Sequence, residues 1–155
     1  MPGKKSEIEI KSFSEEETFG LGEKIARELR GDELILITGE LGAGKTVLVK
    51  GLASGLGVID VDSVCSPSFT LVNIYPGRVN LIHVDLYRLE HPEEIADLGL
   101  EDYLGAGVMA VEWAERLPED FRTDRTLEVL IGVESAESRL IKIKSCGIYL
   151  ELDNQ

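Results

Sequence analysis

The chain has 155 residues, 43% of them hydrophobic, and carries 16 basic against 29 acidic residues for a net charge of −13. That length and hydrophobic share suit one folded domain, expected over residues 1–155, and exclude a chain too polar to bury a core. With no Lys/Arg cluster to neutralise phosphates the chain does not grip nucleic acid through a face of its own, and with no apolar run near the ~20 residues of a membrane span and no apolar segment after Lys4 and Lys5 the expectation is a cytoplasmic protein.

In chain order, Glu7 to Lys11 alternates as a short strand does. Ser14 followed by Glu17 fits a capping box. Leu21, Ile25 and Leu29 recur every four residues beside Ala26 and predict a helix with one apolar stripe, running to about Arg30 and stopping at Gly31. Leu34 to Ile37 is a continuous apolar run, as expected of a strand buried on both faces. A Gly-rich loop follows, then a helix from Val47 to Leu56 closed by Gly57.

Phe69 to Tyr75 and Val79 to Val84 read as two strands joined by the turn Pro76-Gly77-Arg78. Pro92 to Leu98 predicts a short helix with Pro in its first turn, and Glu101 to Leu104 another helical turn. Val108 to Val111 is a second buried-strand run, ending on Glu112. Thr126 to Val133, Leu140 to Lys144 and Ile148 to Leu152 read as closing antiparallel strands. Cys65 and Cys146 are too few and too far apart for a zinc site, and read as small buried hydrophobes without a role. The elements together predict an α/β, P-loop NTPase-like three-layer sandwich: a central mixed sheet, parallel at its core with antiparallel strands added, flanked by helices.

The chemistry begins in the Gly-rich loop. Gly39-Glu40-Leu41-Gly42-Ala43-Gly44-Lys45-Thr46 satisfies GxxxxGK[ST] between a strand and a helix, the context that the pattern requires. Glycines let backbone N–H groups approach phosphate, and the following helix offers its positive N-terminus to the same anion. The spacing assigns Lys45 to the β- and γ-phosphates and the Thr46 hydroxyl to Mg²⁺. Two acids end apolar runs, Asp85 and Glu112, and both are placed at the crevice where ligands sit in open α/β sheets, provided that their strands run parallel to the first. They are candidates for holding the metal and positioning the attacking water. For either acid alone, capping the next helix is the competing role. Ser66-Pro67-Ser68-Phe69-Thr70 lies where a nucleotide switch would sense the γ-phosphate through Ser68 or Thr70, or is an ordinary loop entering a strand. Trp113 either stacks on a ligand or fills the core.

Four motifs in order, Gly39 to Thr46, Ser66 to Leu71, His83-Val84-Asp85-Leu86-Tyr87-Arg88-Leu89 and Val111-Glu112-Trp113, closely resemble the bacterial TsaE family over about Phe13 to Pro118. The resemblance implies a small cytoplasmic ATPase of tRNA threonylcarbamoyladenosine biosynthesis, weak alone, that acts on a complex of TsaB and TsaD and meets tRNA only indirectly. It implies ATP and Mg²⁺ as ligands. Glu40, Leu41, Gly42, Ala43, Gly44, Lys45 and Thr46 would form the phosphate loop, Asp85 the acid near the metal and Glu112 the second acid. Trp113 and Thr70 would line the site. Two other readings compete. A small-molecule kinase would need a basic lid, yet Glu90 to Gly107 contains no Lys or Arg. A GTP-dependent binding switch would need Asn-Lys-x-Asp, yet no lysine follows Asn73, Asn80 or Asn154.

Overall fold

Alternation along the central apolar runs decides the layering. A computed structural model describes residues 5–67, 70–148 and 150–152; the expectations that fall on Ser68, Phe69 and Tyr149 lie outside them. The strands are β1 (Lys5–Ser12), β2 (Leu34–Gly39), β3 (Val72–Tyr75), β4 (Leu81–Asp85), β5 (Val108–Glu112), β6 (Thr126–Val133) and β7 (Arg139–Cys146). They form one sheet in the order β1-β7-β6-β2-β5-β4-β3. The middle four, β6, β2, β5 and β4, run parallel; β3 and β7 are antiparallel to their inner neighbours, and β1 is antiparallel to β7. The expected sandwich with a parallel centre is the fold observed. One strand changes place: Thr126–Val133 is not an antiparallel addition but a parallel neighbour of β2 along its whole length.

Ile35 and Ile37 face one side of the sheet and Leu34 and Leu36 the other. On the first side, helices α1 (Glu15–Arg27) and α2 (Lys45–Gly55) bury Leu21, Ile25, Leu48 and Leu52 against Ile35, Ala110, Val129 and Ile143. On the second, Leu36, Ile82, Val84 and Val111 are covered by Ile95 of α3 (Pro92–Ala96), Leu100 of a single 3-10 turn, and Leu117 and Phe121. Each buried Leu or Ile contributes roughly 1.5–3 kcal/mol relative to an exposed one, so both faces stabilise the sheet. The two helices cross on glycine. A Cβ at Gly51 would lie 2.1 Å from the Phe19 carbonyl oxygen, so only glycine lets α1 approach α2 this closely. Among the described residues, no helix is long and apolar enough to cross a membrane.

Local chemistry shifts several predicted boundaries. Ser14 caps α1 by accepting from the Glu17 N–H at 3.1 Å, and Glu17 accepts from the Phe13 N–H, one residue before the cap. The helix ends at Arg27, three residues earlier than expected, because the Glu33 carboxylate draws the N–H groups of Arg30, Gly31 and Asp32 out of helical geometry. The second helix starts at Lys45 rather than Val47, inside the phosphate-loop motif. The third stops at Ala96, and the turn after it spans Leu100–Tyr103. Ile148, Leu150, Glu151 and Leu152 form no strand: Gly147, at φ +75°, turns the chain out of the ladder. Ile148 and Leu150 instead close the α1–α2 core, and the Glu151 N–H donates to Glu28 at the end of α1. Cys65 is exposed and Cys146 half-buried, against the expectation of two buried thiols.

Candidate functional site

The carboxyl ends of β2, β4 and β5 open on one cleft. It is lined by Leu41, Gly42, Gly44, Lys45 and Thr46 from the loop after β2, by Ser66, by Asp85 and Tyr87 at the end of β4, and by Glu112 and Trp113 at the end of β5. The sheet register explains the meeting. Asp85 and Glu112 are Cα partners across β4 and β5, and Ile37 of β2 pairs with Glu112. Parallel strands therefore deliver both acids to the same edge, beside the loop.

The loop itself is shaped by positive φ. Gly42 (+81°) and Gly44 (+107°) take left-handed backbone that a side chain would strain, and Gly44 caps α2. The amide groups in the first turn of α2 have no helical acceptor, which makes this end an anion seat. Arg139 of β7 donates from Nε to the Ala43 carbonyl at 2.9 Å and from Nη2 to that of Gly42 at 3.3 Å. Those bonds hold two loop carbonyls on the outside of the turn. The arginine is 96 positions from Ala43 in the chain, and only β7 pairing brings it there, so no local pattern announced it.

Lys45 is only 5% exposed. Its ammonium donates to the carbonyls of Gly39 at 2.6 Å and Glu40 at 2.9 Å, and lies 4.5 Å from the centre of the Trp113 ring. Burial pulls it below the ordinary lysine range, while the carboxylates of Glu112, Glu115, Asp85 and Glu40 act in the opposite direction. A cation held by neutral acceptors in a desolvated cleft is poised to take an anion.

The Thr46 hydroxyl lies 3.1 Å from each oxygen of Glu112, to which it donates. The other contact of that carboxylate is His83 Nε2, 2.6 Å from Oε2. Asp85 accepts from the Ser66 hydroxyl on Oδ2 and from the Tyr87 N–H at 2.9 Å on Oδ1. Hydroxyl and carboxylate oxygens are the hard donors that suit Mg²⁺, which is commonly held by one or two carboxylates plus phosphate oxygens rather than by a full protein cage.

Trp113 sits at φ 59°, one of two non-glycine residues with positive φ among the described residues, the other being Leu71 beside β4. Such backbone is strained by about 1–3 kcal/mol and tends to mark functional segments. Here it turns the chain sharply after Glu112, so both side chains face the cleft. The indole lies 5.0 Å from the Tyr87 ring, and Arg116 stands 5.3 Å from it. Arg116 also donates to the carbonyls of Leu86, Tyr87 and Leu89, tying the segment after β4 to the turn after β5. Tyr87, His83 and Arg116 belong to the site but received no role from the sequence. The first two lay inside a recognised motif; Arg116 shows no spacing signal.

The predicted residues Leu41, Gly42, Gly44, Lys45, Thr46, Asp85, Glu112 and Trp113 come together. Ala43 lines the adjoining cleft on the far side of the loop, with Phe13, Thr18, Val47 and Arg139. Glu40 is exposed and contributes its carbonyl. Thr70 does not join them: it is exposed and donates to Asn73 at 2.7 Å.

The chain is similar to known proteins over most of its length. The family model described as threonylcarbamoyl adenosine biosynthesis protein TsaE matches residues 12–141. Proteins named tRNA threonylcarbamoyladenosine biosynthesis protein TsaE are similar in sequence. The one from Aquifex aeolicus is 40% identical over 132 residues, covering 84% of this chain and 90% of its own. That from Nostoc is 41% identical over 134 residues (83% and 80%), and that from Bacillus subtilis 34% over 148 (94% and 90%). The crystal structure of Bacillus subtilis YdiB superposes with a TM-score of 0.70 at 28% identity, covering 93% of this chain and 88% of that one.

Proposed function

This chain belongs to the TsaE family of tRNA threonylcarbamoyladenosine biosynthesis, and on that premise we propose that it binds Mg²⁺·ATP in the cleft above β2, β4 and β5, hydrolyses it, and thereby acts on a TsaB–TsaD complex. The observation that carries the reading is one juxtaposition. Thr46, at the start of the phosphate-loop helix, faces both oxygens of a strand-end carboxylate, Glu112, with Asp85 on the neighbouring strand.

In this reading the first-turn amides of α2 and the Lys45 ammonium bind the phosphates. Lys45 leaves the Gly39 and Glu40 carbonyls to do so. Thr46, Asp85 and Glu112 would hold Mg²⁺, which supplies charge neutralisation between the β- and γ-oxygens. Glu112 and Asp85 also face the place where a water would attack, and the indole of Trp113 excludes bulk solvent beside Lys45. The cleft on the other side of the loop, where Phe13 is 61% exposed, gives an aromatic face for the base. No described residue of 90–107 lines the phosphate side, which supports hydrolysis over a lidded kinase. A net charge of −13 fits work through protein partners rather than direct capture of tRNA.

The test is phosphate release from Mg²⁺·ATP by the wild type and Lys45→Ala, each with and without TsaB and TsaD. We expect slow turnover alone, faster turnover with both partners, and no nucleotide binding by the variant. A Lys45→Ala protein with the full wild-type rate would sink the phosphate-loop assignment. Absence of both stimulation and a complex on gel filtration would sink the partner assignment.

A further inference from the structure

His83 is fully buried on β4 and belongs to neither apolar cluster. Among the described residues, its Nδ1 is a buried polar atom with no hydrogen-bond partner. The side chain across β3, Asn73, does not serve it: its amide nitrogen donates to the Tyr75 hydroxyl at 3.2 Å, and its oxygen accepts from Thr70. Among the described residues, the ring's one hydrogen-bond partner is Glu112, through Nε2. Burying a polar ring here costs stability that an aliphatic side chain would not. The contact it makes is therefore the place to look for its role.

The geometry fixes the proton. An ionised carboxylate only accepts, so Nε2 carries the hydrogen and donates to Oε2. Nε2 is the ring atom that reaches Glu112. Oε2 takes this bond, while both oxygens also lie 3.1 Å from the Thr46 hydroxyl.

We infer that His83 is a positioning residue, whose Nε2–H holds the Glu112 carboxylate in the orientation that faces Thr46. It touches neither nucleotide nor metal and acts only through Glu112. The inference rests on the reading of Glu112 given under Proposed function. The sequence places it two residues before Asp85 on the same face of β4, so one strand supplies both an acid and the support for its neighbour's acid.

The test separates a donor at Nε2 from mere volume. ¹⁵N NMR of the ligand-free wild type should show Nε2 protonated. His83→Gln keeps an amide donor at about the reach of Nε2, whereas His83→Asn places it at the level of Nδ1, short of Glu112. We expect His83→Asn to lower kcat about 10- to 100-fold, the usual cost of losing such support, with the KM for ATP unchanged. His83→Gln should recover most of the rate. In a Glu112→Gln background, His83→Asn should lower the rate no further. An Nε2 that carries no proton overturns the proposal. So does a wild-type rate in His83→Asn alongside an inactive Glu112→Ala, a result that leaves the site reading intact. If Glu112→Ala itself turns over normally, the site reading falls and this inference with it. Should both His83 variants fail to melt cooperatively, the NMR result on the wild type decides alone.

Discussion

Two glutamates are buried at opposite ends of the parallel strands, and they are satisfied in opposite ways. Glu33, just before β2, is 1% exposed; Glu112, at the end of β5, is 3% exposed. Glu33 accepts from the backbone N–H groups of Arg30, Gly31 and Asp32 at 2.8–3.1 Å and from the Arg125 guanidinium. Arg125 is in turn fixed by Asp32 and the Gly147 carbonyl. Glu112 has a hydroxyl and an imidazole. Backbone donors cannot be exchanged without unfolding a turn, whereas a threonine hydroxyl can give way to an incoming cation. One acid therefore closes the fold and the other keeps a place open.

That contrast can be broken by experiment. The largest effect is expected at the open end. Glu112→Ala should lower ATP turnover about 10²- to 10⁴-fold, the range for loss of a group that manages a proton or water, with only a small fall in melting temperature from the His83 ring left unpaired. A large loss of thermal stability instead would make Glu112 a structural acid like Glu33. Next, Glu33→Ala should cost about 3–5 kcal/mol of folding stability in a denaturant titration, because it leaves Arg125 Nη2 and three backbone N–H groups without their acceptor. Its turnover per folded molecule should match the wild type, and a variant that unfolds at the same denaturant concentration would dissolve the distinction.

The smallest effect is in pH. Burial alone would raise the Glu33 carboxyl, but the N–H groups of Arg30 and Gly31 and the Arg125 guanidinium outweigh it and hold it below the ordinary value of 4.5. A carboxyl lowered on folding adds stability that is complete above its unfolded value and lost as the pH falls through its folded one. The stability gap between the wild type and Glu33→Gln should therefore narrow on acidification below about 4.5. A gap that stays constant down to the acid transition would show that the carboxylate is not what the arginine and the turn stabilise.

The same contrast explains what could be read from the chain. The phosphate loop, the two strand-end acids and the parallel centre were legible because each is local: glycine spacing, apolar runs and the residue that ends them. The Glu33 knot was not, since it joins a turn to an arginine 92 positions away, and that knot is what shortens α1. The direction of β6 was hidden for a similar reason. Thr126–Val133 alternates like an antiparallel edge, and only its pairing with β2 makes it parallel. In the site, Lys45, Thr46 and Glu112 followed from pattern. Arg116 and Arg139 act on backbone carbonyls, a use of arginine that leaves no spacing signature. Thr70 shows the converse, a motif position whose side chain serves Asn73 rather than the cleft.

The indole over Lys45 is the chain's single tryptophan. Its near-ultraviolet emission therefore originates at the phosphate loop and nowhere else in the molecule. Any ligand that draws the ammonium away from the ring changes the electric field on that one chromophore, with no other indole to dilute the signal. The protein carries its own optical reporter at the point where the proposed phosphate binding would move the lysine.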